Sequence, residues 1–168
     1  LIAVAGMSGL NMFTIQGSVS AVEGQLESLS DQVPQFNLSK TGQNVIVLMI
    51  DRGMAQYIPY IFNEKPELQE QFEGFTWYSN AISFGGCTNF GSPALFGGYE
   101  YTPIEMNRRN DEALVDKHNE AIKVMPVLFS ENGYDVTVCD VPYANYQWIP
   151  DYSIYDEYPE IKTYNAEG

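Results

Sequence analysis

Basic residues are scarce in this chain of 168 residues, which carries 8 Lys and Arg against 22 Asp and Glu and a formal net charge of -14. Nucleic-acid binding depends on Lys and Arg contacts to phosphate, so this shortage argues against a nucleic-acid partner. It also disfavours direct contact with an anionic membrane surface. The hydrophobic fraction of 45% is ordinary for a globular protein, and the length suits one domain.

Cysteine, histidine and long apolar runs are also rare. The two cysteines, Cys87 and Cys139, do not fix a redox compartment, and we interpret both as buried free thiols rather than as a disulfide. The only histidine, His118, is expected to be solvated or to face a substrate rather than to bind a metal. The apolar-leaning stretch from Leu1 to Ile15 is too short and too polar to span a bilayer.

The first 43 residues differ in composition from the rest. They are rich in Gly, Ser and Gln, and one amphipathic helix is predicted from Ser18 to Ser30, before Pro34. We therefore interpret residues 1–43 as a lead-in segment and residues 44–168 as the domain proper.

An unbroken apolar run at residues 44–50 predicts a strand. Its length, its β-branched residues and its apolarity on both faces favour a central strand of a covered parallel sheet. Asp51 follows at once, at the carboxyl end of that strand, where ligands bind in open α/β sheets.

The pattern of the remaining chain predicts alternating helices and strands. Helices are expected at residues 66–72, from about Thr88 to Gly97 or Gly98, and at 117–131, and strands at 75–82 and 134–139. From residue 141 onward we expect an ordered surface loop rather than a core element. This order predicts an α/β fold with a mostly parallel sheet flanked by helices.

Asp51 and Thr88 are the main candidates for chemistry. A carboxylate after a buried strand suits a divalent cation, and the alternative is an acid that caps the next turn. Thr88 lies in a Gly-rich turn before a helix, which exposes its hydroxyl and directs backbone N–H groups at an anion. The alternative is an ordinary N-cap threonine, and Ser92 before Pro93 is a rival N-cap.

Several other side chains are candidates for ligand contact. Cys87 is a weaker nucleophile candidate because no basic residue lies near it in sequence to stabilise a thiolate. The aromatic residues could stack on a sugar or lipid headgroup, or pack within their own loop. The candidate anion contacts, each otherwise a surface charge, are Arg52, Arg108, Arg109 and Lys117, and the aromatic group comprises Tyr143, Tyr146 and Trp148.

Taken in order, these segments resemble the sulfatase and lipoteichoic acid synthase families of the alkaline phosphatase superfamily. The run from Asn44 delivers Asp51 seven residues later, as in the opening strand of lipoteichoic acid synthases. Thr88 followed by the segment Ser92 to Gly98 resembles the nucleophile and its helix. The resemblance covers roughly residues 44–140 and includes the aromatic strand at 75–82 and the segment from Met125 to Val138.

The resemblance implies an alkaline phosphatase-like enzyme that cleaves or transfers phosphate or sulfate esters. One divalent ion (Mn, Mg, Zn or Ca) would be held by Asp51 and Thr88, and Thr88 would form a covalent intermediate. Substrate contacts are expected from Arg52, Asn89 and His118. A small-molecule, lipid or glycan ester is the implied substrate.

Two departures from the family pattern refine this expectation. Formylglycine sulfatases carry Cys-x-Pro-Ser-Arg, whereas Cys87 here is followed by Thr88, Asn89 and Phe90, so phosphoglycerol or phosphoethanolamine transferases are closer analogues. The family's further Asp and His ligands come later in the chain. We therefore expect the N-terminal part of a catalytic domain, incomplete and inactive alone.

By resemblance, the parent protein is membrane-associated through a segment outside this chain, with its catalytic domain on the extracellular side. Two alternatives stay open. One is a non-enzymatic cell-surface module that binds glycans, and the other is a degenerate structural domain that keeps the fold without catalysis.

Overall fold

The structure, a computed structural model, describes residues 11–17, 19 and 34–166. Residues 11–17 are helical, and the predicted helix from Ser18 to Ser30 lies, apart from residue 19, outside the described residues. The longer elements are α1 (Ile58–Glu64), α2 (Leu68–Gln71), α3 (Thr88–Gly97), α4 (Pro103–Arg108), α5 (Leu114–Glu131), β1 (Thr137–Cys139) and β2 (Lys162–Tyr164). Short 3-10 helices lie at Ala55–Tyr57, Tyr99–Tyr101, Ala144–Tyr146 and Tyr152–Tyr155.

The predicted class, a mixed α/β fold with a parallel sheet flanked by helices, is confirmed at this level. Within the described residues the sheet consists of β1 and β2, which pair in parallel with Val138 opposite Thr163. The crossover between them runs through the two 3-10 helices at Ala144–Tyr146 and Tyr152–Tyr155.

The predicted central strand at residues 44–50 is wrong. These residues have no regular secondary structure, and their side chains are exposed, Leu48 by 80%. Residues 45–49 and residues 134–142 both line an apolar groove of about 640 Å³. The run forms no strand ladder with β1, which pairs with β2. A strand exists only where a neighbouring strand meets its N–H and C=O groups, and an apolar run cannot supply that neighbour itself.

The predicted strand at residues 75–82 is also wrong. The segment is irregular with a turn at residues 79–80, and Ile82 is 90% exposed. Phe75 packs edge-to-face on Phe72, with ring centroids 5.2 Å apart, instead of facing a partner strand. Alternation along a chain does not form a strand without a partner strand.

The three helices predicted after residue 43 are confirmed. α2 lies inside the predicted range, and α3 begins at Thr88 with Cys87 as its N-cap residue and ends before Gly98, whose φ is 82°. Ser92 is not the N-cap; it is buried inside α3, and its hydroxyl donates to the Thr88 carbonyl at 2.6 Å. α5 begins at Leu114, three residues before the predicted start, and stops at Asn132 as predicted.

The main core lies between α5 and the chain after β1. Its buried members are Ile122, Val138, Val141, Ala144, Tyr155 and Ile161. The prediction of a surface loop after residue 141 is therefore wrong, because that segment supplies core residues and β2. Two of its tyrosines, the buried Tyr155 and the half-buried Tyr152, find partners for their hydroxyls: Tyr155 donates to the Ile122 carbonyl at 3.1 Å, and Tyr152 accepts from the Val141 N–H at 3.0 Å.

Candidate functional site

Asp51 and Thr88 lie together although they are 37 residues apart in sequence. The Thr88 Oγ1 donates to Asp51 Oδ1 at 3.4 Å, which is a long hydrogen bond. Asp51 is exposed at the turn after residues 44–50, where the Gly53 N–H bonds to the Ile50 carbonyl at 3.1 Å, and Thr88 is half-buried at the first residue of α3. The expected convergence of the two oxygens is thus present.

The turn before α3 folds tightly onto the first turn of that helix. A Cβ at Gly85 would overlap Phe90, so a larger residue at position 85 would push the turn off the helix. The Gly85 N–H donates to Ser83 Oγ at 3.2 Å, and the N–H groups of Phe90 and Gly91 both bond to the Cys87 carbonyl at 3.0 Å. This packing fixes the backbone from which the Thr88 hydroxyl projects.

Asn89 is held by a residue far away in sequence. Its Nδ2 donates to the Tyr146 hydroxyl at 3.1 Å, across 57 residues. Neither residue type nor spacing in the sequence indicated this pair, although Tyr146 belonged to the aromatic group noted there. The contact links the residue after Thr88 to the 3-10 helix Ala144–Tyr146.

His118 is fully buried, at 0% exposure, so the expectation of a solvated histidine is wrong. The face of α5 that carries it turns inward against Tyr146, whose ring is 5.2 Å away in an edge-to-face contact. Neither ring nitrogen has a hydrogen-bond partner among the described residues. Desolvation by burial lowers the pKa of His118 to about 4, so the ring is neutral at physiological pH.

Three of the four candidate anion contacts are engaged within the protein. Arg108 pairs with Glu105 at 2.7 Å, and Arg109 pairs with Glu112 and Glu120. Lys117 is buried, against the expectation of a surface charge, and its Nζ donates to the carbonyls of Met106 and Arg109 at 2.9 Å each.

Arg52 differs from these three cations. It is exposed directly beside Asp51, and it forms no ion pair within the part of the chain that the structure describes. Arg52 is therefore the cation that remains available next to the Asp51 and Thr88 pair.

Several residues of the candidate site have a left-handed backbone conformation. Among the described non-glycine residues, positive φ occurs at Arg52, Asp140, Tyr143, Asn145 and Tyr146. Such conformations cost on the order of 1–3 kcal/mol each and persist where the surroundings impose them. Three of the five lie in residues 143–146, a strained stretch that ends at Tyr146, the hydrogen-bond partner of Asn89.

The strained stretch is held by hydrogen bonds from α5 and from the following loop. Asn119 Oδ1 accepts from the Asn145 N–H at 3.0 Å, and Asn119 Nδ2 donates to Asn145 Oδ1 at 3.2 Å. Asn145 Nδ2 donates in turn to Asp151 Oδ2 at 2.9 Å. The backbone of the 3-10 helix is therefore fixed from both sides.

The aromatic group continues outward from this stretch. The rings of Tyr143 and Trp148 are 6.0 Å apart at 78°, and Trp148 is 84% exposed. Tyr143 also lies 6.4 Å from Tyr146. The group therefore packs partly within its own loop and also presents one indole to solvent.

The metal-ligand chemistry of the site is only partly present in the described residues. Asp51 and Thr88 provide two hard oxygen donors, the type that suits Mg²⁺, Mn²⁺ or Ca²⁺. No group of three or more His, Cys, Asp and Glu residues that could hold a metal ion occurs among residues 11–17, 19 and 34–166. The donors fit a divalent cation in kind, and a complete centre needs more of them.

Both cysteines are free thiols, as expected, but only one is shielded from solvent. Cys87 is exposed, against the expectation of two buried thiols, because it lies before the first turn of α3. Cys139 is half-buried, and its Sγ donates to Asp140 Oδ2 at 3.3 Å. Burial and the Asp140 carboxylate raise the pKa of Cys139 to about 11, so it is a protonated thiol at neutral pH.

Comparison with protein-family models, curated proteins and solved structures gives no match to this chain. Across the described residues, every helix is either too short or too polar to cross a membrane. The assignment of function therefore depends on the residues themselves.

Proposed function

We propose that this chain is the N-terminal part of an alkaline phosphatase-like catalytic domain that hydrolyses or transfers phosphate or sulfate esters with the aid of a divalent metal. The observation that carries the proposal is the 3.4 Å approach of Thr88 Oγ1 to Asp51 Oδ1. A hydroxyl at the start of a helix, beside an exposed carboxylate, combines a nucleophile with a hard metal ligand.

Thr88 is the proposed nucleophile. Its Oγ1 bonds to the phosphorus or sulfur, the bond to the leaving alcohol breaks, and the hydroxyl proton passes to solvent. Water or an acceptor alcohol then takes the group from Thr88 and restores the hydroxyl. A bound divalent cation would lower the pKa of the hydroxyl and neutralise charge on the transferring group.

The chain's own residues orient this reaction. The hydrogen bond to Asp51 orients the Thr88 hydroxyl, and the position of Thr88 at the N-terminus of α3 favours negative charge on the transferring group through the helix dipole. Arg52, exposed beside Asp51, is the proposed contact for the transferred group's oxygens. Because the sequence after Cys87 lacks the formylglycine motif and offers Thr88 as the nucleophile, we favour a phosphoglycerol or phosphoethanolamine transferase over a sulfatase.

The proposal extends to the parent protein. It would be anchored in the cell membrane by a segment outside this chain, would carry the catalytic domain on the extracellular side, and would act on a lipid or glycan ester. The remaining metal ligands would come from outside the described residues.

The test uses the full-length protein with Mn²⁺ and bis-p-nitrophenyl phosphate. Thr88→Ala should reduce the rate by about 100-fold or more, because the nucleophile is lost. Cys87→Ala is the matched control, since this exposed neighbour should be dispensable. Full activity in Thr88→Ala, or loss of activity in Cys87→Ala with Thr88 intact, would remove Thr88 from the role of nucleophile.

A second candidate function is glycan binding without catalysis, favoured by the 84% exposure of Trp148 beside Tyr143. An exposed indole is a stacking surface for a sugar ring. In a glycan-binding assay, Trp148→Ala would then abolish retention while Thr88→Ala would leave it intact. The opposite pattern, with hydrolysis lost only in Thr88→Ala, supports the enzyme.

A further inference from the structure

The first turn of α3, a helix that also packs against α5, is tied to distant residues by two side-chain hydrogen bonds. Asn89, the residue after Thr88, donates its amide proton to the Tyr146 hydroxyl at 3.1 Å. Among the described residues, the second hydrogen bond from this turn to a distant residue joins Thr88 Oγ1 to Asp51 Oδ1 and is longer, at 3.4 Å. The Tyr146 hydroxyl is therefore the firmer of the two supports.

Tyr146 is itself fixed more tightly than a surface-loop residue would be. Its ring meets the fully buried His118 edge-to-face, at 5.2 Å between centroids. Its backbone has a φ of 54° and follows Asn145, which Asn119 of α5 holds through two hydrogen bonds. The hydroxyl position is thus set by α5, the longest helix among the described elements.

His118 supports Tyr146 through packing rather than through a polar contact. Neither of its ring nitrogens has a hydrogen-bond partner among the described residues, and the ring is at 0% exposure. The imidazole therefore serves as a buried aromatic surface against which the Tyr146 ring packs. This role differs from the direct substrate contact expected of His118.

We propose that Tyr146 is a positioning residue for the nucleophile: by accepting the Asn89 hydrogen bond, it fixes the first turn of α3 and with it the direction of the Thr88 hydroxyl. The inference rests on the proposed function, because it assigns Tyr146 a part in the reaction of Thr88. Tyr146 acts through Asn89 and needs no contact with the substrate.

The test measures kcat and KM for bis-p-nitrophenyl phosphate in the full-length protein with Mn²⁺. Tyr146→Phe keeps the ring on His118 and removes only the hydroxyl, so kcat should fall about tenfold while KM stays within about twofold. Tyr134→Phe is the matched control. Tyr134 is a half-buried tyrosine packed edge-to-face on Phe129 at 5.1 Å, and its hydroxyl makes no hydrogen bond to the described residues. Its variant should keep the wild-type kcat.

A double-mutant cycle separates positioning from general destabilisation. Asn89→Ala should lower kcat as much as Tyr146→Phe, and the double variant should be no slower than either single variant, because both remove one interaction. Equal thermal melting curves for Tyr146→Phe and wild type would exclude unfolding as the cause.

The outcomes distinguish this inference from the function on which it rests. Loss of activity in Thr88→Ala together with an unchanged kcat in Tyr146→Phe would overturn the role of Tyr146 and leave the nucleophile standing. Multiplicative losses in the double variant would also overturn it. Full activity in Thr88→Ala would overturn the proposed function itself.

Discussion

The His118 imidazole is a buried polar ring whose nitrogens have no hydrogen-bond partner among the described residues. Burial without a partner is costly, and it is most costly for the protonated ring, which carries a charge. A neutral imidazole that packs on Tyr146 serves mainly as an aromatic surface. An apolar aromatic of similar shape should therefore replace it without a large loss of stability at neutral pH.

We predict that the stability difference between wild type and His118→Phe depends on pH. The pKa of His118 is lowered from 6.5 to about 4 by desolvation, so between these values the unfolded chain binds more protons than the folded protein. The wild type thus loses stability as pH falls from 6.5 to 4, by on the order of 2–3 kcal/mol, and the variant lacks this loss. Urea unfolding of both proteins at pH 7 and pH 4 measures it.

The comparison removes the effect of the carboxylates, because both proteins share them. Asp151 and Glu120, whose pKa values are lowered by hydrogen bonds to Ser153 and Arg109, destabilise wild type and variant alike as they become protonated. A stability difference that stays constant between pH 7 and pH 4 would show that the ring titrates normally.

At the scale of elements, α3 and the following 3-10 helix Tyr99–Tyr101 pack closely because Gly97 has no side chain. A Cβ at Gly97 would overlap the ring of Tyr101. The chain then reverses at Gly98, whose φ of 82° is a conformation that glycine adopts without strain. The end of the nucleophile's helix therefore depends on close approach between backbone and ring.

We predict that Gly97→Ala lowers the free energy of unfolding by about 1–3 kcal/mol, because the added methyl group forces Tyr101 or the helix end to move. Gly86→Ala is the control, since a Cβ there meets no atom within 4 Å, and it should change stability by less than about 0.5 kcal/mol. Denaturant unfolding measures both. Equal stability of the two variants would mean that the Tyr101 ring moves aside freely.

Helices, whose hydrogen bonds are local, were easier to predict from the sequence than strands, which need a partner strand. The spacing of Ala121, Val124, Met125 and Leu128 predicted α5, and Asn132 with Gly133 predicted its end, because helical hydrogen bonds join residues close in sequence. The runs at 44–50 and 75–82 were predicted as strands and are irregular, because ladder partners come from elsewhere in the chain.

At the scale of the whole molecule, negative charge is in large excess. At a formal charge of -14, repulsion between negative side chains destabilises the folded state. Some of the cations are used in ion pairs such as Lys123 with Glu157 and Lys162 with Asp135. Each exposed pair contributes little, so the general repulsion outweighs them.

We predict that the melting temperature rises by a few degrees when NaCl is increased from about 10 to 150 mM. Screening shortens the Debye length from roughly 30 to 8 Å and weakens the repulsion more than it weakens the short ion pairs. Differential scanning calorimetry measures the shift, with sucrose at equal osmolarity as the uncharged control. A fall in melting temperature with NaCl would mean that the ion pairs outweigh the net charge.

The sequence by itself determined α2, α3 and α5, the free thiols, the excess of acid, and Asp51 and Thr88 as residues of interest, because these follow from composition and from contacts between near neighbours. It did not indicate α1 or α4. Tertiary structure decided that Asp51 meets Thr88, that Tyr146 holds Asn89, that His118 is buried, and that the chain after residue 141 belongs to the core. Contacts across 37 or 57 residues depend on how distant segments pack. Local residue patterns do not encode that packing.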